Sequence, residues 1–512
     1  MSASARSISI MTAALAASAL APGRARAEDL AEAISLAYET NPALVSQRAQ
    51  LQATDEGYVQ AEAGFRPTVS LQAGASYSRS PQSSLFGGQV LTEANTGSAA
   101  LSVTQPLYTG GRTTAEVRAA EAQIRAGREQ LRSVEANVTF AVIQAYCDVL
   151  RDRAALAIQK EGFKILLDAV NEIRARFEAG AITVTDKFQA ETQLESTRAQ
   201  LESAQAQLEI STAEYVTAVG RSPGDLTPPP TLPALPADVG TAFDIADRES
   251  PTIRQAQFTE AADRAQVQEA QASGRPTVSL SGQFGYIGSV VPLSQHDYLR
   301  NVGVTATISQ PLFSGGLIAS QVRQAAAQDT SARVQVEVAR RNMIQAVSQA
   351  WSQRRAAHAN TVSDAAAVMA AQATFDGMRV EYRAGLRTTL EVLIAQETLT
   401  GAEIALAAAR HDEYVAEASL LGAVGRLEPR IVLQGQPLYR PEVSFRRVEN
   451  RGSVPWQAIP ETLDRLGAPS QPQPGSLPEP RTPSGPVRVA PAMPATAPPT
   501  AAQADKPMEA IR

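Results

Sequence analysis

Residue types that commonly carry catalytic or metal chemistry are scarce in this chain of 512 residues. Its three histidines, His296, His358 and His411, do not lie at metal-ligand spacing with one another. The single cysteine, Cys147, cannot form a disulfide within one chain, and we expect it to be buried as a small apolar residue. No Ser-His-Asp, Cys-His or phosphate-loop pattern is present. The sequence therefore predicts no metal site and no cofactor, and it gives little support to an exported enzyme.

Polar and charged residues with possible local roles lie in two glycine-containing turns. The stretch FEAGAITVTD holds Thr185 and Asp186, and the stretch YRAGLRTTLEVLI holds Tyr382, Arg387 and Glu391. Glu391 stands three residues after a threonine, as in a capping box, and Asp186 can cap the helix that begins there. Thr185 fits an ordinary turn residue. Taken alone, these residue types leave helix capping and a functional role both open.

The composition favours long helices packed at close range. Hydrophobic residues make up 44% of the chain, but aromatic residues make up only 5%. Alanine, glutamine and glutamate fill the difference, which is typical of extended helical packing. The formal net charge is −6, so no basic surface indicates a nucleic-acid partner.

The first 27 residues are predicted to be an export signal. Arg6 provides the positive start, residues 8–21 form a short apolar run, and Ala25-Arg26-Ala27 fits a cleavage site after Ala27. The alternative is a cytosolic leader without structure. No cysteine lies near the site, which excludes a lipid anchor there. We expect no later stretch of about twenty apolar residues, so any membrane crossing must use strands.

An internal repeat organises most of the chain. The hexapeptide RPTVSL occurs at 66–71 and at 275–280, an offset of 209 (275 minus 66). QPLY at 105–108 then matches QPLF at 310–313, an offset of 205 (310 minus 105), and the later matches keep that offset. Register maintained over so long a stretch indicates two copies of one unit. We assign them to 28–226 and 238–427, joined by a proline-rich linker at 227–237.

Each unit is predicted to contain a helix, two strands and a long helical hairpin. The strands, at about 66–79, 97–108, 275–288 and 299–313, alternate apolar residues with small uncharged polar ones. Such polar residues suit the inner face of a water-filled barrel, although four half-buried strands of a soluble sandwich remain the alternative. The difference of four residues falls in the hairpin loops, of which the first, at about 78–97, is expected to be longer.

The long helical segments carry heptad patterns. Residues 113–177 contain no proline and would form a helix of roughly 100 Å at about 1.5 Å per residue. Leu194, Leu201, Leu208 and Tyr215 lie seven apart, as in a coiled coil. A solid helical bundle would satisfy the same pattern.

The strand number restricts the assembly. Four strands cannot close a barrel with a useful lumen, and open strand edges are not tolerated in lipid. Two chains would give a barrel wide enough only for side chains, whereas three would give twelve strands with room for a channel. A homotrimer is therefore the simplest closed solution.

From about Glu28 to Leu427 the chain resembles the TolC-like outer-membrane efflux and type I secretion channel family. The resemblance rests on the doubled order of elements, the QPL[YF]xGG junctions and the paired F/Y-x-A-G tips. The junction residues are Pro106, Gly110, Gly111, Pro311, Gly315 and Gly316, and the tip glycines are Gly180 and Gly385. It implies a mainly α fold in which a trimeric 12-stranded β-barrel in the outer membrane continues as a periplasmic α-helical coiled-coil barrel.

The resemblance also implies a function and its partners. Such proteins are passive exit ducts in the outer membrane of Gram-negative bacteria, in contact with outer-membrane lipid and extending into the periplasm. An inner-membrane pump of the RND or ABC type and a periplasmic adaptor complete the machine. The cargo and the particular pump cannot be inferred from the sequence.

By the same resemblance, the tip residues form a periplasmic gate. Asp186 would bond the tyrosine and arginine of neighbouring helices, which match Tyr382 and Arg387, with Thr185 beside it. Glu391 matches one acidic ring at the entrance, but Ile394 replaces the second, so cation binding there is expected to be weaker.

The segments after residue 427 differ from the two repeats. Residues 428–467 are expected to form an equatorial segment, and residues 468–512, rich in proline and alanine, to be disordered. The main alternative is an exported coiled-coil scaffold or adhesin, which detergent-dependent solubility would distinguish from a channel.

Overall fold

The computed structural model describes residues 28–84, 88–289, 298–432 and 438–468. The predicted cleavage site at Ala27, residue His296 and the tail from 469 onward lie outside these residues. Each repeat consists of two short helices, a β-hairpin and a long helical hairpin, and three short helices follow the second repeat. The first repeat comprises α1 (Leu30–Thr40), α2 (Pro42–Glu62), β1 (Thr68–Ser84), β2 (Gly88–Tyr108), α3 (Arg112–Glu178) and α4 (Val184–Val219). The second comprises α5 (Val239–Glu249), α6 (Pro251–Ala272), β3 (Thr277–Ser289), β4 (Leu299–Ser309), α7 (Leu317–Arg383) and α8 (Thr389–Ala423), followed by α9 (Pro429–Val432), α10 (Pro441–Val448) and α11 (Ala458–Leu466).

The short helical part of each repeat is divided in two, where the sequence suggested one helix. The break lies at Asn41-Pro42 in the first repeat and at Ser250-Pro251 in the second. Proline fits the first position of a helix because its missing N–H is not needed there. The residue before it has extended backbone and ends the preceding helix.

The four strands form one antiparallel sheet in the order β1-β2-β3-β4. Val69 pairs with Val103, Leu101 with Phe284, and Phe284 with Val302, so the apolar positions of all four strands share one face. The opposite face carries residues such as Ser102 and Gln283, which also pair with one another. One face is therefore mostly apolar, with Arg79, Glu93 and Arg300 toward its loop end. The other face is neutral and mostly polar, as the alternation predicted.

The first hairpin is longer than expected and its loop is shorter. The segment assigned to a loop at about 78–97 is mostly strand, because β1 and β2 remain paired up to Ser84 and Gly88. Serine, proline and glycine in this segment are local turn signals, but the cross-strand ladder overrides them. In the second hairpin β4 ends at Ser309, before Pro311, which lies within the expected strand range.

The two longest helices, α3 and α7, contain 67 residues each, which corresponds to roughly 100 Å. The part of each that lies nearer the tip packs against the helix that follows the tip, α4 (36 residues) or α8 (35 residues). Leu166, Val170, Leu194 and Leu393 form one buried cluster between the two hairpins near the tips. The fold class predicted from the sequence, long helical hairpins combined with a small antiparallel sheet, is confirmed.

A larger core lies where α1 crosses the helical hairpins. Leu30 and Ile34 of α1 pack there with Tyr146 of α3, Tyr215 of α4 and Leu421 of α8. Cys147 belongs to this core, and burial raises the pKa of its thiol to about 12. The thiol is therefore unreactive at neutral pH.

Helix α8 is more apolar than we expected from the sequence. It is long enough, with a mean hydropathy of 1.3 over its best 18 residues, to cross a membrane by composition alone. A helix that presents an alanine- and leucine-rich face to a coiled-coil partner has the same composition. Helix α8 packs along α7 and against α3, and 22% of this apolar window is buried within the single chain.

Candidate functional site

The two hairpin tips end their long helices in the same way. After α3, Gly180 has a φ of +71°, and after α7, Gly385 has a φ of +74°. The N–H of Gly180 donates to the carbonyl of Phe177, and that of Gly385 to the carbonyl of Tyr382, both at 2.9 Å. Left-handed backbone favours glycine at each position. Both turns are consequently sharp and place the next helix directly beside the last.

Each returning helix begins with a capping box. In the first tip the N–H of Asp186 donates to the Thr183 hydroxyl at 3.2 Å, and Asp186 Oδ2 accepts from the Thr183 N–H at 3.2 Å. The second tip repeats the arrangement with Thr388 and Glu391. Hydrogen bonds from the Thr388 backbone and hydroxyl, together with Arg387, lower the pKa of Glu391. Both acidic groups therefore act as helix caps within the single chain.

Arg387 is held by two acidic residues of its own hairpin. Its Nε donates to Glu381 at 2.8 Å, and its Nη1 donates to Glu391 at 3.1 Å. Among the described residues its Nη2 has no hydrogen-bond partner. The guanidinium is exposed to solvent and retains one free donor edge.

Tyr382 joins the two hairpin tips of the chain. The Arg176 guanidinium of α3 lies 5.1 Å from the centre of the Tyr382 ring, an attractive cation–π distance. The Tyr382 hydroxyl accepts a hydrogen bond from Thr389 at 3.3 Å. Sequence reasoning named neither Arg176 nor Glu381, although both stand within four residues of a tip glycine.

The single chain does not bring Asp186 to Tyr382 or Arg387. Asp186 and Thr185 are both exposed. The hydrogen bonds of the Asp186 carboxylate in the described chain go through Oδ2 to Thr183, which leaves Oδ1 as a free acceptor. Ile394, at the position of the second expected acidic ring, is 54% exposed.

The strand-to-helix junctions use paired glycines with left-handed backbone. Gly110 and Gly111 have φ values of +73° and +88°, and Gly315 and Gly316 have +60° and +86°. Pro106 lies near the end of β2, where the strand register shifts.

Helix α11 covers the first junction through Asp464. Its carboxylate is 1% exposed and accepts hydrogen bonds from the N–H groups of Thr109, Gly111 and Thr114 at 2.8, 2.9 and 3.2 Å. The hydroxyls of Thr109 and Thr114 donate to it as well, each at 2.8 Å. A carboxylate is favourable there because the α3 N-terminus carries partial positive charge. No sequence pattern indicated this contact, which spans at least 350 positions.

The same C-terminal segment holds Arg66, the first residue of the repeated hexapeptide. Arg66 donates through Nε to Gln457 at 3.1 Å and through Nη1 to the carbonyl of Arg451 at 2.7 Å. Its Nη2 forms an ion pair with Glu62 at 2.7 Å. The segment after the second repeat thus fastens the start of β1 to the start of α3.

The described residues contain no group of three or more His, Cys, Asp or Glu side chains arranged to hold a metal ion.

Comparisons with known proteins give one consistent result. The family model described as "Outer membrane efflux protein" matches residues 33–221 and 243–426, which correspond to the two repeats. The chain is 31% identical over 428 residues to the outer membrane efflux protein BepC of Brucella suis, covering 83% of this chain and 92% of that protein. It is 26% identical over 490 residues to the outer membrane protein TolC of Escherichia coli, covering 91% and 92%.

Solved structures share the fold. The outer membrane protein VceC of Vibrio cholerae superposes with a TM-score of 0.66 at 22% identity, covering 77% of this chain and 96% of that one. The CmeC outer membrane channel of Campylobacter jejuni gives a TM-score of 0.71 at 14% identity, covering 82% and 89%.

Proposed function

We infer the function from one premise, that the chain belongs to the outer membrane efflux protein family. It is an outer-membrane exit duct for efflux or type I secretion. It resides in the outer membrane of a Gram-negative bacterium and extends into the periplasm. The family is one of channels rather than of enzymes.

The main observation in support of this function is a four-stranded sheet with one mostly apolar face and two open edges, in which each β-hairpin is followed by a helix of 67 residues. Leu71, Val304 and Ile308 are about three-quarters exposed in the single chain. An apolar outer face and a neutral polar inner face are what a barrel strand needs between lipid and a water-filled lumen. The helices, at roughly 100 Å, are long enough to form a tunnel below the barrel.

Channels of this family are homotrimers that work with adaptor proteins and inner-membrane pumps. For this chain we propose a periplasmic adaptor and a pump of the RND or ABC type as partners. Three copies supply twelve strands and satisfy the open edges of each sheet. The substrates travel through the lumen, and the chain itself performs no chemical step on them.

We propose that the hairpin tips form the periplasmic gate, with Asp186 of one protomer bound to Tyr382 and Arg387 of a neighbouring protomer. Thr185 would lie beside this contact and Glu391 would line the entrance. The free Oδ1 of Asp186 and the free Nη2 of Arg387 support the proposal because they are complementary and exposed. Each can form the new contact without giving up its bond within the hairpin.

In this mechanism the adaptor or the pump opens the duct by competing for the tips. Separation of Asp186 from Arg387 removes the contact between protomers but leaves both capping boxes in place. The returning helices therefore stay intact while the coiled coils move apart.

The test is single-channel conductance of the purified protein in a planar bilayer. We expect small wild-type currents and several-fold larger currents in Asp186→Asn/Arg387→Gln. Asparagine keeps an oxygen that can accept the Thr183 bond, so the variant removes charge with little effect on the helix cap. Arg383→Ala is the matched control, because Arg383 is exposed at the same tip and has no ion pair among the described residues.

This experiment distinguishes an error in the proposed gate from an error in the proposed duct. Equal currents from wild type and double variant would leave the duct and place the gate elsewhere. An absence of current from every variant, with protein that stays soluble without detergent, would contradict the duct and favour a coiled-coil scaffold.

A further inference from the structure

Helix α11 presents an apolar face to solvent. Ile459, Leu463 and Leu466 follow the spacing i, i+4 and i+7, which places them on one side of the helix. Trp456 stands three residues before Ile459 and extends the same row. The four side chains are between 46% and 82% exposed. We call them the α11 apolar face, and such a row of large exposed apolar side chains indicates an interaction surface.

The other side of α11 is buried and is held by polar contacts. Gln457 accepts a hydrogen bond from Arg66, and the Asp464 carboxylate accepts several from the start of α3. A helix on the surface of a soluble protein turns its apolar side toward the core. Helix α11 has the opposite orientation, and a rotation about its axis would leave the buried Asp464 without its donors. The α11 apolar face therefore needs a partner other than the strands and helices beneath it.

The α11 segment lies against the apolar face of the sheet. The indole Nε1 of Trp456 donates to the side-chain oxygen of Gln105 at 3.2 Å. Gln105 pairs with an apolar residue of β3 and therefore projects from the same face. A Cβ added to Gly467 would overlap the side chain of Tyr108, which pairs with another apolar residue of β3. In the duct inferred above this face looks toward lipid, so the α11 apolar face continues a lipid-facing surface.

Helix α11 also runs across the strands at their inner ends. At its start, Gln457 is bound to Arg66, two residues before β1. At its end, the carbonyl of Gly467 accepts a hydrogen bond from Arg275, two residues before β3. The helix axis therefore lies across the strand direction, along the plane of the membrane that the strands cross. An amphipathic helix at a bilayer surface has this orientation.

The position of α11 disfavours the protein partners of the duct. A neighbouring copy would attach at the open edges, β1 and β4, whereas Trp456 and Gly467 contact β2, an inner strand. The proposed gate, where the adaptor or the pump acts, lies at the other end of α3, roughly 100 Å away. Phospholipid at the inner ends of the strands is the apolar partner that adjoins this surface.

We propose that the α11 apolar face binds phospholipid of the inner leaflet of the outer membrane and fixes the height of the duct in the bilayer. The proposal rests on the outer-membrane duct inferred above. A helix at a membrane surface buries its apolar side about 5–10 Å into the boundary between headgroups and acyl chains. Tryptophan favours the same level of the bilayer because its ring is amphipathic. Arg465, on the exposed polar side of the helix, remains in the aqueous periplasm.

Quenching of tryptophan fluorescence by brominated lipid tests the proposal. The chain contains two tryptophans, Trp351 and Trp456, so Trp351→Phe leaves Trp456 as the reporter. The full-length protein is reconstituted into vesicles of phosphatidylethanolamine and phosphatidylglycerol with bromine on the acyl chains. We expect Trp456 to lose most of its emission when the bromine lies near the headgroup. The loss should be smaller when the bromine lies near the end of the acyl chain, because the helix enters only the headgroup side of the leaflet.

Two neighbouring positions of α11 test the orientation of the helix. In a background without native tryptophan, Trp351→Phe/Trp456→Phe, the indole of Leu466→Trp should lose its emission as Trp456 does. Arg465→Trp should keep its emission, because the two positions are about 100° apart around the helix and Arg465 lies on the polar side. Both native side chains are exposed, so neither substitution disturbs the buried contacts of α11.

Two further reporters serve as controls. Val304→Trp, in the same background, places an indole on the apolar face of β4, where Val304 is 75% exposed, and should lose its emission to brominated lipid. Trp456→Phe leaves Trp351, which lies 34 residues after the start of α7 (351 minus 317), roughly 50 Å along the helix. Its emission should be unchanged by brominated lipid.

The outcomes separate this inference from the duct itself. Loss of emission from Val304→Trp but not from Trp456 or Leu466→Trp would overturn the contact between α11 and lipid and leave the duct. Protection of those two indoles from aqueous acrylamide would then identify a protein surface as the partner. Equal losses from Arg465→Trp and Leu466→Trp would overturn the orientation of the helix. No loss from any reporter would count against both the duct and the lipid contact.

Discussion

Removal of the Asp464 carboxylate should release helix α11 from the start of α3. Asp464 accepts five hydrogen bonds from Thr109, Gly111 and Thr114 while it is almost fully buried. A hydrogen bond to a charged group contributes roughly 1.5–3 kcal/mol. Water can replace some of these hydrogen bonds once α11 moves away. We therefore expect Asp464→Ala to lower the free energy of opening of this contact by about 3 kcal/mol.

Hydrogen exchange of the backbone amides at 111 and 114 measures this loss directly. About 3 kcal/mol corresponds to an exchange rate roughly 100-fold faster, at about 1.4 kcal/mol per factor of ten. Asp464→Asn should show a smaller increase, because its amide keeps one accepting oxygen. Arg465→Ala is the control. Arg465 is exposed and its ion pair with Glu461 is long, at 3.7 Å, so loss of this pair should change exchange little.

The contact between α11 and the start of α3 should also depend on pH. Burial raises the pKa of Asp464, but the hydrogen bonds from Gly111, Thr114 and Thr109 outweigh burial and place it below the ordinary 3.8. A carboxyl with a lowered pKa contributes stability above its unfolded pKa, and that contribution is lost as the pH falls through the folded value. The wild-type contact should therefore persist at pH 5. Unchanged exchange at 111 and 114 in Asp464→Ala would refute the argument.

Two further predictions concern the helical part. His411 of α8 lies 3.0 Å from Asp148 of α3 and 2.9 Å from Asp412, and Arg151 is bound to Asp148. Burial lowers the pKa of His411, but the two carboxylates outweigh burial and raise this pKa above 6.5. The charged imidazolium contributes its full stabilisation below pH 6.5, and this contribution is lost as the pH rises through the raised pKa. The thermal stability of His411→Gln should therefore fall less between pH 6 and pH 9 than that of the wild type. An unaltered pH profile would contradict this role. Gly425→Ala should lower the free energy of unfolding by at least about 1–2 kcal/mol, because the φ of Gly425 is +78° and a Cβ would lie 2.8 Å from the carbonyl oxygen of Glu249. Gly377→Ala is the control, because Gly377 lies in a helix and a Cβ there would have no atom within 4 Å. It should be neutral or stabilising by up to about 1 kcal/mol in the same thermal measurement.

Elements with local signals could be predicted from the sequence. Alternation of period two placed the strands, and Pro67 and Pro276 stand immediately before β1 and β3. The paired glycines marked the junctions, where their left-handed backbone is found. The capping box at Thr388 and Glu391 was also readable, because its two residues are three positions apart. These features depend on neighbours along the chain, so a single sequence contains them.

Contacts between distant segments could not be predicted from the sequence, because they form only when the helices and strands pack together. Asp464 meets Gly111, His411 meets Asp148, and the Arg176 side chain meets the Tyr382 ring, all across more than 190 positions. No spacing rule connects such residues, since their distance depends on how the helices and strands pack. The length of the first hairpin was misjudged for the same reason, because pairing between β1 and β2 stabilised strand where the local residues indicated a loop. The repeat could be identified from the sequence, but only the structure shows that β2 of the first repeat pairs with β3 of the second.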